Sequence, residues 1–274
     1  MTFIEIYFAF VTLIIGLCFG SFLNVCIYRI PAEISLSHPP STCPKCNTRI
    51  KWYDNVPVFG WLALGGKCRA CKQPISAGYP VVELMTGLFF LILYLLYPVY
   101  SYSGLDWRAP VYMLAVFGLL LATFVDLAEM WIPDRVSIGG MIVFPILSLL
   151  VPELHGVEGW LAGLKASAIG LGVGFGSFWL IGVLGKMAFK KDAMGFGDVK
   201  LMGGLGALLG WQAVLFITFF SALAGTVIGV ALIAMNKKDL SSQIPYGPYL
   251  ALAAFAWILG GYRLWEAYLV YMGV

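Results

Sequence analysis

An all-α polytopic membrane protein, with about eight transmembrane helices and a small polar, cysteine-bearing loop domain between the first two, is the fold this sequence predicts. Three observations predict it. Of 274 residues, 61% are hydrophobic and 11% charged, with a mean hydropathy of +0.89, which leaves too little polar surface to coat a soluble globule. Several apolar runs approach the length that crosses a bilayer, so a soluble protein with an unusually large core is poorly supported. Lys and Arg also concentrate on alternate connections, as a single membrane topology requires.

The first run, Met1 to Cys26, lacks a basic n-region and passes into Gly20-Ser21-Phe22-Leu23-Asn24-Val25 without a small-x-small cleavage pattern, so it reads as a span rather than a secretory signal. Apolar runs between polar breaks place spans near 3–25, 81–100, 110–127, 136–151, 160–184, 199–211, 213–235 and 247–270. The run after Lys200 is divided near Gly210-Trp211-Gln212, where Gly203, Gly204, Gly206 and Gly210 suggest a turn although no charge marks it. Residues 1–28 are then a first helix, 29–80 a loop domain and 81–274 a membrane domain of about seven helices.

Basic residues orient these spans. Arg29, Lys45, Arg49, Lys51, Lys67, Arg69 and Lys72 outnumber Glu33 and Asp54 in the first connection, which should remain in the cytoplasm. Counting forward, residues 127–135, the Lys186/Lys190/Lys191 connection and Lys237-Lys238 also fall inside. The connection with Glu153, His155 and Glu158 falls outside. A net charge of +3 with no Arg-rich or aromatic-basic module gives no support for nucleic acid as a partner; the bilayer is the partner composition supports.

Within the first connection lie Cys43-Pro-Lys-Cys46 and Cys68-Arg-Ala-Cys71. Two Cys-x-x-Cys knuckles can close a tetrahedral thiolate site for zinc, here at a separation just beyond the usual range. Disulfides are the competing reading, weaker in a reducing cytoplasm. Four thiolates leave no open position for water, so a structural zinc is expected rather than a catalytic one. Cys18 and Cys26 read as small packing residues.

Two acids stand out in the membrane domain. Asp198 lies in Gly195-Phe196-Gly197-Asp198-Val199-Lys200, a polar break opening an apolar run, and Asp126 lies in Val125-Asp126-Leu127-Ala128-Glu129. A turn with Asp198 as N-cap is the plainer reading of its tetrapeptide alone. The topology, however, puts both acids at the cytoplasmic ends of their spans and at the same depth, a precondition for a catalytic pair. Adjacent carboxylates share a proton, so one can activate water while the other polarises a scissile carbonyl. Gly195 and Gly197 would let an extended substrate backbone approach.

Other polar residues read as structural. Glu129 is a membrane-edge charge, Asp134 an N-cap for span four and Asp192 a solvated loop charge. His38 and His155 are ordinary loop residues without a nucleophile beside them. Glu83, just inside span two, is either a functional acid or a charge at a helix start. Gly170, Gly172, Gly174 and Gly176 have no preceding strand and read as helix packing rather than a nucleotide loop.

Taken together, Gly20–Val25, Arg29-Ile-Pro31, the paired knuckles, Trp52-Tyr-Asp-Asn-Val-Pro57, Tyr79-Pro-Val-Val-Glu83, Asp126 with Ile132-Pro-Asp134, and Gly195–Lys200 resemble the bacterial type IV prepilin peptidases. The similarity runs in order from the first span to the seventh. Ala128 departs from it, since relatives often carry a polar or acidic residue after the Asp-Leu pair. The resemblance implies a membrane aspartyl protease of the Gly-x-Gly-Asp class in the bacterial inner membrane, with Asp126 and Asp198 catalytic. It implies cleavage of a short basic leader from type IV prepilins or type II secretion pseudopilins at the cytoplasmic face. It further implies N-methylation of the new terminus with S-adenosylmethionine, whose binding residues the sequence does not identify. Two alternatives stand beside it: a protease without methyl transfer, and a non-enzymatic membrane adaptor or transporter with a zinc-stabilised docking loop.

Overall fold

The computed structural model describes residues 3–101, 104–190, 194–235 and 244–273. Lys191, Asp192, Lys237 and Lys238 lie outside them. Packing divides the chain into two compact units, Met1–Phe117 and Gly118–Val274, with the division inside a helix.

The first unit contains α1 (Phe3–Arg29), α2 (Phe59–Ala63), α3 (Gly78–Leu96) and the start of α4 (Arg108–Glu129). Between α3 and α4 a two-residue-per-strand antiparallel hairpin pairs Tyr100–Ser101 with Gly104–Leu105, a small departure from the all-helical expectation. Helices α1 and α3 meet backbone to backbone. A Cβ built on Gly16 would lie 2.8 Å from the Gly87 Cα, and one on Gly20 would lie 2.6 Å from the Glu83 Cα. Small residues four apart on one face permit this approach, the usual packing device where hydrophobic driving force between helices is absent.

The second unit continues α4 and adds α5 (Asp134–Leu150), α6 (Trp160–Phe189), α7 (Phe196–Leu209), α8 (Trp211–Ala234), α9 (Gly247–Ala256) and α10 (Tyr262–Met272). Helix α7 forms its core, with Asp198, Val199 and every residue from Leu201 to Leu209 buried. Helix α6 lies against it through glycine: a Cβ on Gly170 would be 2.0 Å from the Gly206 carbonyl oxygen, and one on Gly174 2.4 Å from that of Met202. Gly172 and Gly176 face open space, so the run is a packing stripe, as expected.

All eight expected spans coincide with helix. Among the described residues, five helices are long and apolar enough to cross a membrane: Phe3–Arg29, Gly78–Leu96, Arg108–Glu129, Trp160–Ala188 and Trp211–Ala234. The other three segments are shorter or broken. Helix α5 has 17 residues and α7 has 14, and a π-helical step at Trp257–Gly261, with Gly260 at φ 131°, separates α9 from α10. Gly210, at φ 85°, is the single residue between α7 and α8. Only glycine accepts that backbone without strain, which is why the expected turn falls there.

Candidate functional site

The two conspicuous acids belong to the second unit, and the fold brings them together. Asp126 sits in the last turn of α4 and Asp198 in the first turn of α7, with 5% and 9% of their surface exposed. The Asp126 charge is close enough to act on Asp198. The N-cap of α7 is Gly195 rather than Asp198, with no side-chain capping bond. Asp198 is therefore released from the capping role its tetrapeptide suggests. Its Oδ1 is buried and has no hydrogen-bond partner among the described residues. Burial of an unpaired carboxylate oxygen is costly, and natural proteins keep such groups mainly where chemistry uses them.

Three backbone features shape this site. Gly195 backs onto Asp198, because a Cβ there would stand 3.0 Å from its Oδ2. Gly197 faces Ile132, whose Cβ would be 3.2 Å from an added side chain. At the start of α9, the Gly247 N–H donates to Asp126 Oδ2 at 2.9 Å and fixes that carboxylate's orientation. A Cβ on Gly247 would meet the same oxygen at 2.9 Å and Ile132 Cδ1 at 3.3 Å. Ile132, 5% exposed, thus packs against both Gly197 and Gly247. Tyr246 precedes Gly247, shares a 2.8 Å hydrogen bond with Ser221 of α8, and lies near enough to Asp198 to sense its charge.

Neither Gly247 nor Tyr246 was anticipated from the sequence. The available signal was Pro245-Tyr246-Gly247-Pro248, a rigid opening to the last span. Glu129 is exposed at the end of α4, as expected. Asp134 is not an N-cap: Pro133 holds that position, and Asp134 instead forms an ion pair with Lys200, tying α5 to α7. His38 hydrogen-bonds to Ser37 in its loop. His155 is half-buried, with Nε2 2.9 Å from Ser148 Oγ. Burial brings its imidazole down to about 4.

In the first unit, Cys43, Cys46, Cys68 and Cys71 converge with all four Sγ atoms within 4.8 Å of one another. The Cys43–Cys71 and Cys46–Cys68 separations are 3.9 and 4.0 Å. Tetrahedral zinc with bonds of about 2.3 Å spaces its sulfurs by about 3.8 Å, so the cluster has the dimensions of such a site. No disulfide joins the four, whose nearest Sγ pairs stand well beyond an S–S bond of about 2.05 Å. The knuckles are built alike. The Cys43 and Cys68 N–H groups donate to the carbonyls of Thr48 and Gln73, and Asn47 and Lys72, one past each second cysteine, both have φ near 60°. The hydroxyl and backbone of Thr48 lower the Cys46 thiol to about 6, toward the thiolate that binds metal. Glu83 is the sixth residue of α3, 8% exposed, and accepts the Val58 N–H at 2.7 Å.

Comparison with known proteins finds two matching families, in chain order. Residues 14–97 match the bacterial peptidase A24 N-terminal domain, and residues 113–230 match the type IV leader peptidase family. A prepilin leader peptidase/N-methyltransferase of Stutzerimonas stutzeri is 35% identical, over 96% of this chain and 94% of its own length. This chain belongs to the type IV leader peptidase family. Proteins of the same name from Pseudomonas aeruginosa, at 33% over 97% of this chain and 95% of their own length, and Pectobacterium carotovorum, at 34% over 92% and 93%, extend the similarity. No solved structure matches. The two family regions enclose the four cysteines and the two aspartates respectively, so both constellations fall in parts of the chain that the leader peptidase relatives share.

Proposed function

We propose that this protein is a prepilin leader peptidase and N-methyltransferase of the inner membrane, with Asp126 and Asp198 as its catalytic pair. The observation that carries the catalytic assignment is their juxtaposition, with one carboxylate held by the Gly247 N–H and the other bearing a buried unpaired oxygen. One member, ionised, takes a proton from water as it attacks the scissile carbonyl. The other, protonated, donates a hydrogen bond to the carbonyl oxygen and later a proton to the leaving amine. An extended substrate would approach the backbone of Gly195 and Gly197 on the sides that Asp198 and Ile132 do not fill. Type IV prepilins and type II secretion pseudopilins are the substrates, cleaved after their basic leader at the cytoplasmic face, where basic loop residues place the four-cysteine domain.

Zinc is the metal we assign to Cys43, Cys46, Cys68 and Cys71, in a structural role, within a loop domain spanning residues 29–80 between the first helix and the protease domain of 81–274. S-adenosylmethionine supplies the methyl group. No residue is assigned to it, since the glycine run of α6 packs against α7 and forms no cofactor loop.

Detergent-purified protein incubated with a prepilin and S-adenosylmethionine should yield a product both shortened and methylated by intact mass. Asp126→Asn and Asp198→Asn should each lower cleavage by at least about a thousandfold while the protein still accumulates. Normal processing by either variant removes that residue from the mechanism, and a shortened, unmethylated product from the unaltered enzyme reduces the function to proteolysis.

A further inference from the structure

We propose that the segment Val56–Leu64 of the metal domain is set into the lipid at the boundary of headgroups and acyl chains, so that the four-cysteine domain is seated in the membrane surface. The proposal rests on the membrane-spanning of α1 and α3 and is independent of catalysis.

Composition is the first argument. Val56-Pro-Val-Phe-Gly-Trp-Leu-Ala-Leu64 contains no charged residue, yet Val56, Phe59 and Leu62, three apart, are 42, 66 and 58% exposed. Phe59 and Leu62 lie three apart on α2 with Val56 just before it, and all three stay uncovered among the described residues of the first unit. Exposed basic residues flank the segment, Arg49 and Lys51 before it and Lys67 after, where headgroup phosphates would meet them.

Depth is the second. Gly20 of α1 lies against the Glu83 backbone, and the Glu83 carboxylate holds the Val58 N–H. A glutamate leans toward the start of its helix, which returns Val58 roughly 5 Å toward the polar end of α1, about the level of residue 23. Glu5 marks the opposite polar edge of α1. Twenty residues of hydrocarbon-spanning helix counted from Ile6 reach Val25. Val58 is therefore level with, or inside, the non-polar boundary, and the exposed side chain of Val81 on α3 lies near its level.

The third argument is that much of the segment's backbone already has partners within the chain. Pro57 has no N–H. That of Val58 goes to Glu83, Phe59 to the Pro57 carbonyl, Gly60 to Val56, Leu62 to Val58 and Leu64 to Gly60, while Trp61 Nε1 donates to the Ile75 carbonyl. Each such partner lowers the cost of bringing irregular chain to the edge of a non-polar layer. Val58 is a β-branched residue at φ 62°, ψ −53°, in a γ-turn, a conformation that persists only where its surroundings impose it. Glu83 is what imposes it here.

The test places p-benzoylphenylalanine at Phe59 or at Leu62 of the full chain in phosphatidylethanolamine/phosphatidylglycerol vesicles and measures phospholipid adducts by mass after irradiation. Leu88, exposed on α3, and Lys45, exposed in the first knuckle, serve as references. Adduct yields at both positions should lie within about twofold of Leu88 and roughly tenfold above Lys45. Yields at the Lys45 level, or adducts to a second copy or to a substrate instead of lipid, overturn the proposal. Absence of adducts at Leu88 would count against the membrane reading itself. Hydroxyl-radical footprinting of the unaltered chain in the same vesicles reads the same surface: Phe59 and Leu62 should be protected, and labelling equal to that of the knuckles also overturns the proposal.

Discussion

Replacing Gly247 with alanine tests whether the opening of α9 positions Asp126, the acid proposed as catalytic. The added methyl would stand 2.9 Å from Asp126 Oδ2, 3.3 Å from Ile132 Cδ1 and 3.4 Å from Asp126 Cγ. The first distance is several tenths of an ångström inside normal contact, and Ile132, wedged also against Gly197, gives α9 little room to retreat. The carboxylate must therefore rotate, and the 2.9 Å bond from the Gly247 N–H is weakened or lost. A hydrogen bond to a charged group is worth about 1.5–3 kcal/mol, which corresponds to roughly 10- to 150-fold in rate if it is felt fully in the transition state. The assay is leader cleavage under single-turnover conditions, with Gly172→Ala as a control, since nothing lies within 4 Å of a Cβ there. The expected result is a loss in the chemical step with substrate binding little changed. A Gly247→Ala enzyme that accumulates normally and cleaves within about twofold of the unaltered protein would refute the reasoning.

Further predictions concern the metal and pH. Purified protein should contain one zinc per chain, and Cys43→Ser or Cys68→Ser should lose it together with protease resistance of the loop; metal-free protein of normal stability would contradict the assignment. His155 titrates near 4 in the folded chain, below its ordinary value of about 6.5, because burial disfavours the charged form. A depressed value means its contribution to stability is complete above about pH 6.5 and is lost as pH falls toward 4, by up to about 3 kcal/mol. Melting curves in detergent should therefore fall more steeply over that window for the unaltered protein than for His155→Gln, and parallel curves would assign the acid sensitivity elsewhere.

The parts of this architecture written locally were legible in the sequence. The apolar runs marked where the long helices fall, although the last run is broken into α9 and α10; the knuckle spacing marked the four-cysteine cluster, and Gly210 marked a turn. Asp126 and Asp198 were visible as acids at apolar boundaries. Gly247, the partner of Asp126, was not, because its N–H reaches an acid 121 residues earlier and nothing in a Gly-Pro pair specifies that. Asp134 was read as a cap because it follows proline; its engagement by Lys200 is a tertiary contact across 66 residues. Glu83 was ambiguous for the same reason, since its partner is a backbone group 25 residues away in a loop without regular periodicity.

The shortness of α7 has a consequence for the bilayer itself. At 14 residues it rises about 21 Å and α5, at 17, about 25 Å, against a hydrocarbon layer of about 30 Å. Helix α7 is enclosed by its neighbours, so it is the partly exposed α5, with Ile142, Ile146 and Leu150 on its surface, that presents the mismatch to lipid, which thins around it. Thinning brings the polar boundary closer to the first turn of α7, and so to Asp198, one of the two acids proposed as catalytic. Cleavage in vesicles should accordingly slow as acyl chains lengthen, while a rate indifferent to membrane thickness would mean that neighbouring long helices absorb the mismatch.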